Sequence, residues 1–173
     1  MSKVVLISVR PKWCENIASG EKTIEVRKTR PNLKTPFKCY IYCTRGNDAN
    51  RLRGAQGKII GEFTCDAITR VNICGFWNDS GKQLDNRLKE TCLTSEELCN
   101  YLGEKAGYGW HISNLKIYDT PRELSEFRKA CPNSWYCESC AMYWGNNGTC
   151  GNESLQIKHA PQSWCYVEEM EDV

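Results

Sequence analysis

Six runs of β-branched and aromatic residues follow one another along this chain with little helical sequence between them. Their closeness constrains the fold more than any other feature. They occupy Lys3–Val9 and residues 23–27, 38–44, 58–71, 110–118 and 162–168. A parallel crossover needs a dozen or more residues, and the runs come too close together for a repeated strand–helix–strand pattern. The pattern predicts an α+β fold, a small, mostly antiparallel β-barrel with short helices outside it. Three helices are expected. One starts at Pro11 and stops at Gly20, with Trp13, Cys14 and Ile17 on one face. One covers 94–102, with Thr94 as cap and acids in its first turn. One covers 120–128, where Thr120 and Glu123 have capping-box spacing. Gly61 marks a bulge in the long fourth run.

The 173 residues, 40% hydrophobic and 25% charged, suit a single domain over residues 1–173 with a cysteine-rich insert at 131–152. No run of eighteen apolar residues is present. The first apolar stretch, VVLIS, is too short for a signal peptide. The expectation is a cytoplasmic chain with no membrane partner, monomeric by default. Charge is uneven. Residues 1–58 hold 13 Lys/Arg against 4 Asp/Glu, and the remainder hold 10 against 17. A basic face follows, including Arg45, Arg51 and Arg53 in a polar loop. Such a face favours polyanions, or is simply solvated.

The stretch GEKTIEVRK at 20–28 concentrates charge on one short strand. Alternation puts Thr23, Glu25 and Arg27 on one face, with Lys22 just before it. Lining a cleft, these residues would hold a carboxylate between two cations. Arg27 offers a fork for phosphate, Glu25 an acceptor for a base or ribose donor, and Lys22 either role. A lysine in a partly dry pocket also serves as nucleophile or base. On a surface the same residues form an ion-pair ladder worth less than about 1 kcal/mol. Tyr40, Tyr42, Trp77, Tyr108 and Trp110 either stack bases or pack in the core.

Several pieces in order resemble the ASCH domain family of the PUA-like superfamily. They are PKWCENIASGEK, KTIEVRK, YIYCT with GKIIGEF, WHISNLKIYDTPREL and APQSWCYVE. The family pattern of a glycine, a lysine two residues on, then a glutamate and an arginine falls on Gly20, Lys22, Glu25 and Arg27. The last piece and the insert before it resemble a bacterial and prophage branch. The resemblance implies a PUA-like barrel whose cleft binds RNA or a nucleotide, with Lys22, Thr23, Glu25 and Arg27 as ligand-binding residues. It also implies an alternative, a hydrolase on a modified nucleoside or RNA, because relatives include an amidohydrolase of N4-acetylcytidine and a ribonuclease. Lys22 matches the catalytic lysine of that amidohydrolase, and Lys22 with Glu25 would be the reacting pair. That branch has threonine where Glu25 stands here. It also uses a glutamate from a later helix, for which Glu96, Glu97 and Glu104 are candidates.

Twelve cysteines are expected to be reduced thiols or metal ligands. Cys14, Cys39, Cys43, Cys65, Cys74, Cys92, Cys99 and Cys165 sit among apolar neighbours and read as small core residues. Cys131, Cys137, Cys140 and Cys150 have the spacing C-x5-C-x2-C-x9-C. The C-x2-C pair suits a tetrahedral ion, and zinc in a structural role is the expected cofactor. An iron–sulfur cluster, a redox pair or an unliganded group are the alternatives. His159 or Cys165 could replace an outer ligand.

Overall fold

A computed structural model describes residues 3–46, 53–72, 75–77, 83–84, 87–131, 139–146 and 150–170. Its strands are β1 (Lys3–Val9), β2 (Ile24–Arg27), β3 (Phe37–Cys43), β4 (Lys58–Asn72), β5 (Gly75–Trp77), β6 (Gln83–Leu84), β7 (Gly107–Glu123) and β8 (Trp164–Glu168). The helices are α1 (Pro11–Ala18), α2 (Ser95–Leu102) and α3 (Ala141–Trp144). All eight strands form one sheet in the order β2-β7-β4-β3-β1-β8, with β5 on β4 and β6 on β5. Among the described residues every strand pairing is antiparallel except β1 with β3. The architecture is the mostly antiparallel α+β fold expected from the strand spacing. Among the described residues no helix is long and apolar enough to cross a membrane.

The parallel pair has a consequence. β1 and β3 run the same way, so the chain between them must cross over, and α1 and β2 are that crossover. β1 is apolar along nearly its whole length and is buried from Val4 to Val9. One face meets α1, β3, β4 and β7 through Val5, Ile7, Cys14, Ile17, Phe63 and Trp110. The other meets Tyr40, Ile59, Phe127, Ile157 and Val167. β2 lies four strands from β1 along the sheet, yet Arg27 donates to the Ser8 carbonyl at 2.5 Å. The sheet therefore curls until its first edge faces β1, and a charged side chain spans the gap.

Three local expectations meet the structure differently. Gly61 does mark an irregular register, between Ile59 and Gly61 against β7, and a Cβ there would run into the Lys116 carbonyl. Thr94 caps α2 and Glu97 completes the capping box. The helix expected from Thr120 is absent: residues 120–123 extend β7, and a 3-10 turn follows at Leu124–Glu126. Lys58 and Ile59 of β4 pair with Glu123 and Arg122, so ladder hydrogen bonds override the local cap. The box that does form joins Glu123 and Glu126.

Candidate functional site

The crossover builds a cleft. Pro11 starts α1 without needing its missing N–H. Gly20 takes φ +79° and turns the chain back. The Lys22 N–H returns to the Asn16 carbonyl at 2.9 Å, and β2 then pairs with β7. On β2, Ile24 and Val26 pack with Val71, Phe76, Leu98 and Leu102. Glu25 and Arg27 face the opposite way, into a cavity of about 610 Å³, a size that suits a small ligand. Its lining also includes Lys22, Arg10, Trp13, Glu97, Tyr101 and Gln162.

Lys22, Glu25 and Arg27 are only 2%, 6% and 8% exposed. Lys22 Nζ lies 3.2 Å from Glu25 Oε2, and Arg27 lies 3.0 Å from Glu25 Oε1. Lys22 aims its short hydrogen bond elsewhere, at the Thr91 carbonyl 2.6 Å away. Glu25 Oε2 therefore has a charge partner but no hydrogen-bond donor among the described residues. Arg27 Nε is likewise buried without an acceptor among them. The three side chains together carry one net positive charge, and Arg10 adds another on the lining. Thr23 does not join them. It is exposed and precedes β2, and its backbone bonds to Glu90 and Ile112.

Of the three later glutamates, Glu97 alone lines this cleft. The Thr94 backbone N–H and the Lys12 ammonium hold its carboxyl below the usual carboxylate range. Glu96 and Glu104 are exposed.

The aromatic expectations are corrected in part. Tyr40, Tyr42 and Trp110 are buried, and Phe37 packs edge-on to Trp110. Tyr108 packs against the core, and the Trp77 side chain is outside the described set. The cleft's aromatic walls are instead Trp13 and Tyr101. The Lys22 ammonium sits over the Trp13 ring at 5.2 Å and that of Lys28 over Tyr101 at 5.1 Å. Helical periodicity reads Trp13 as a core residue; the signal for a cleft was its place just after Arg10 and Lys12.

Of the cysteines read as core residues, Cys14, Cys39, Cys43 and Cys65 are buried, Cys92 and Cys165 are half-buried, and Cys99 is exposed on α2. Cys74, and Cys137 of the clustered group, lie outside the described residues. Cys131 and Cys150 are half-buried and Cys140 is exposed. Among the described residues no three His, Cys, Asp or Glu side chains are gathered to hold a metal. His159 lines a second cavity, described below, and Cys165 pairs with Leu6 on β1.

Fold and cleft together define a curled, mostly antiparallel sheet with a buried charged cluster at its open side. The fold is similar to that of an ASCH protein of known structure. The chain superposes on an ASCH structure from Zymomonas mobilis with a TM-score of 0.59 and 17% identity, covering 95% of this chain and 87% of that one. Two point-mutant structures of the Zymomonas protein, one with tyrosine changed to phenylalanine and one with serine changed to alanine, match at a TM-score of 0.58 and 17% identity. Those matches cover 97% and 95% of this chain and 92% and 88% of theirs. No family model matches the sequence, and no curated protein does.

Proposed function

We propose that this chain is an ASCH-type domain that binds RNA or a nucleotide in the cleft of Lys22, Glu25 and Arg27. The observation that carries the reading is a buried cluster of two cations and one carboxylate, left with one net positive charge, on residues lining that cavity. A base amino group or a ribose hydroxyl would meet the glutamate, and an anionic or carbonyl oxygen would meet the arginine. Trp13 and Tyr101 offer stacking surfaces, and the net positive charge suits a phosphate.

Arg27→Ala tests this by titration with a short RNA at two salt concentrations. The variant binds more weakly, and its affinity falls less steeply with salt. Unchanged affinity at both concentrations would remove the arginine from the site.

The hydrolase alternative has one observation in its favour, the 3.2 Å approach of Lys22 to Glu25 within the cleft. Against it, Lys22 spends its shortest hydrogen bond on the Thr91 carbonyl, and Glu97 is locked in the α2 cap. Incubation with N4-acetylcytidine separates the readings. Turnover that Lys22→Ala abolishes establishes hydrolysis, and an untouched substrate leaves binding alone.

A further inference from the structure

A second cavity, of about 780 Å³, adjoins the first, and the two share Thr44 and Gln162 as lining. The dividing ridge is fixed. The Thr44 N–H donates to the Val9 carbonyl at 2.8 Å. The Ser8 hydroxyl donates to the Pro161 carbonyl at 2.6 Å, and its N–H to that of Ser163 at 2.9 Å. The second basin has different chemistry. Arg45, Lys158 and His159 line it and are exposed. Its acid, Glu123, is paired with Lys58 at 2.8 Å. Among the described residues no carboxylate is ion-paired with Arg45 or Lys158. Arg45 passes close over Gly57: its Nε lies 2.8 Å from where a Cβ on Gly57 would stand, and Gly57 takes φ +83°.

We infer that the second basin holds the phosphodiester backbone adjoining the nucleotide in the first, with Arg45 and Lys158 on the phosphates. The ligand is then a single strand of at least two nucleotides. This rests on the nucleotide reading of the first cleft. The division of labour follows from the chemistry. The first basin offers an acceptor, a donor and aromatic walls, which suit a base. The second offers exposed cations, which suit a backbone. An intact duplex does not fit, because a base enters the first basin only when it is unpaired from its partner strand and flipped out of the stack.

The test compares cytidine 5′-monophosphate with fluorescein-labelled RNA and DNA hexamers of alternating adenine and cytosine, by calorimetry and anisotropy. The full chain and an Arg45→Ala/Lys158→Ala variant are used. The wild type is expected to bind the hexamers at least about tenfold tighter than the monophosphate. The variant should lose that gain, keep its affinity for the monophosphate, and show a salt slope shallower by about 1.4, from about 0.7 for each of two phosphate contacts. Equal affinity of wild type for monophosphate and hexamer overturns the inference, as does an undiminished hexamer affinity in the variant. A gain seen with RNA and not DNA replaces phosphate contact by ribose contact and also overturns it. If the wild type binds none of these ligands, the nucleotide reading itself fails. If it binds them all but the variant behaves as wild type, only the second basin is lost.

Discussion

Replacing Glu25 with glutamine should damage the fold far more than breaking an ordinary ion pair. The substitution keeps the side chain's size and removes its charge. Lys22 and Arg27 then stay buried, at 2% and 8% exposure, with no counter-charge between them. Breaking a buried pair by removing one partner costs about 3–5 kcal/mol. For a chain of this size each kcal/mol lowers Tm by about 2–4 °C, so a fall of about 6–20 °C is expected. The urea midpoint should fall by about 1.5–2.5 M if the slope is about 2 kcal/mol/M, with the slope unchanged. The control is Arg87→Gln, which breaks a half-exposed pair with Glu90 of similar length, 3.0 Å. That change should cost less than about 1 kcal/mol. If Glu25→Gln costs no more than the control, the cluster is solvated and its tight geometry is incidental. A triple replacement by Met, Leu and Met at Lys22, Glu25 and Arg27 sharpens the test. An apolar substitute of similar volume is often neutral or stabilising where a buried ion cluster stood. The triple variant should therefore be more stable than Glu25→Gln while binding no nucleotide.

Other outcomes follow from single features. Burial pushes the Cys65 thiol up to about 12 and raises that of Cys39, from an ordinary value of 9. Their folded forms hold protons that the unfolded chain releases, so this contribution is intact below pH 9 and lost as pH rises from 9 towards 12. Urea midpoints in reductant should be lower at about pH 10.5 than at about pH 8, and equal midpoints refute the burial. Thr94→Ala removes the α2 cap and should cost about 1 kcal/mol by urea melting, with Ser at that position nearly neutral. If Cys131, Cys137, Cys140 and Cys150 hold a structural zinc, protein purified without added metal should carry about one equivalent by elemental analysis. No metal together with four titratable thiols in that segment removes the site.

Much of the fold was readable because β1, β3, β4 and β8 carry period-two or wholly apolar patterns that tertiary contacts reinforce. β1 begins and ends where its apolar run does, and α1 stops as Gly20 requires. The Thr120 helix failed for a physical reason. A capping box contributes about 1 kcal/mol locally, whereas the β4 ladder satisfies several backbone groups at once on the same segment. The cysteine segment had no period to read, and its spacing speaks to chemistry more than to shape. The aromatic cleft walls were hidden because a tryptophan at a helical core position looks the same whether its ring's far side meets protein or a cavity.

The charged strand poses a harder question, since burial alone does not make a cluster functional. Arg27 does bridge the open side of the sheet to Ser8, and Lys22 fixes the turn that ends at Thr91. A purely structural clasp, however, would be expected to balance its own charge. Here two cations share one carboxylate, and all three residues line a cavity. Burying ions is a poor source of stability compared with burying methylenes. The arrangement is reasonable if a ligand supplies the missing negative charge. The clasp and the binding site are then one device. The arginine that closes the sheet would also be held ready for its ligand, with little left to reorganise when the ligand arrives.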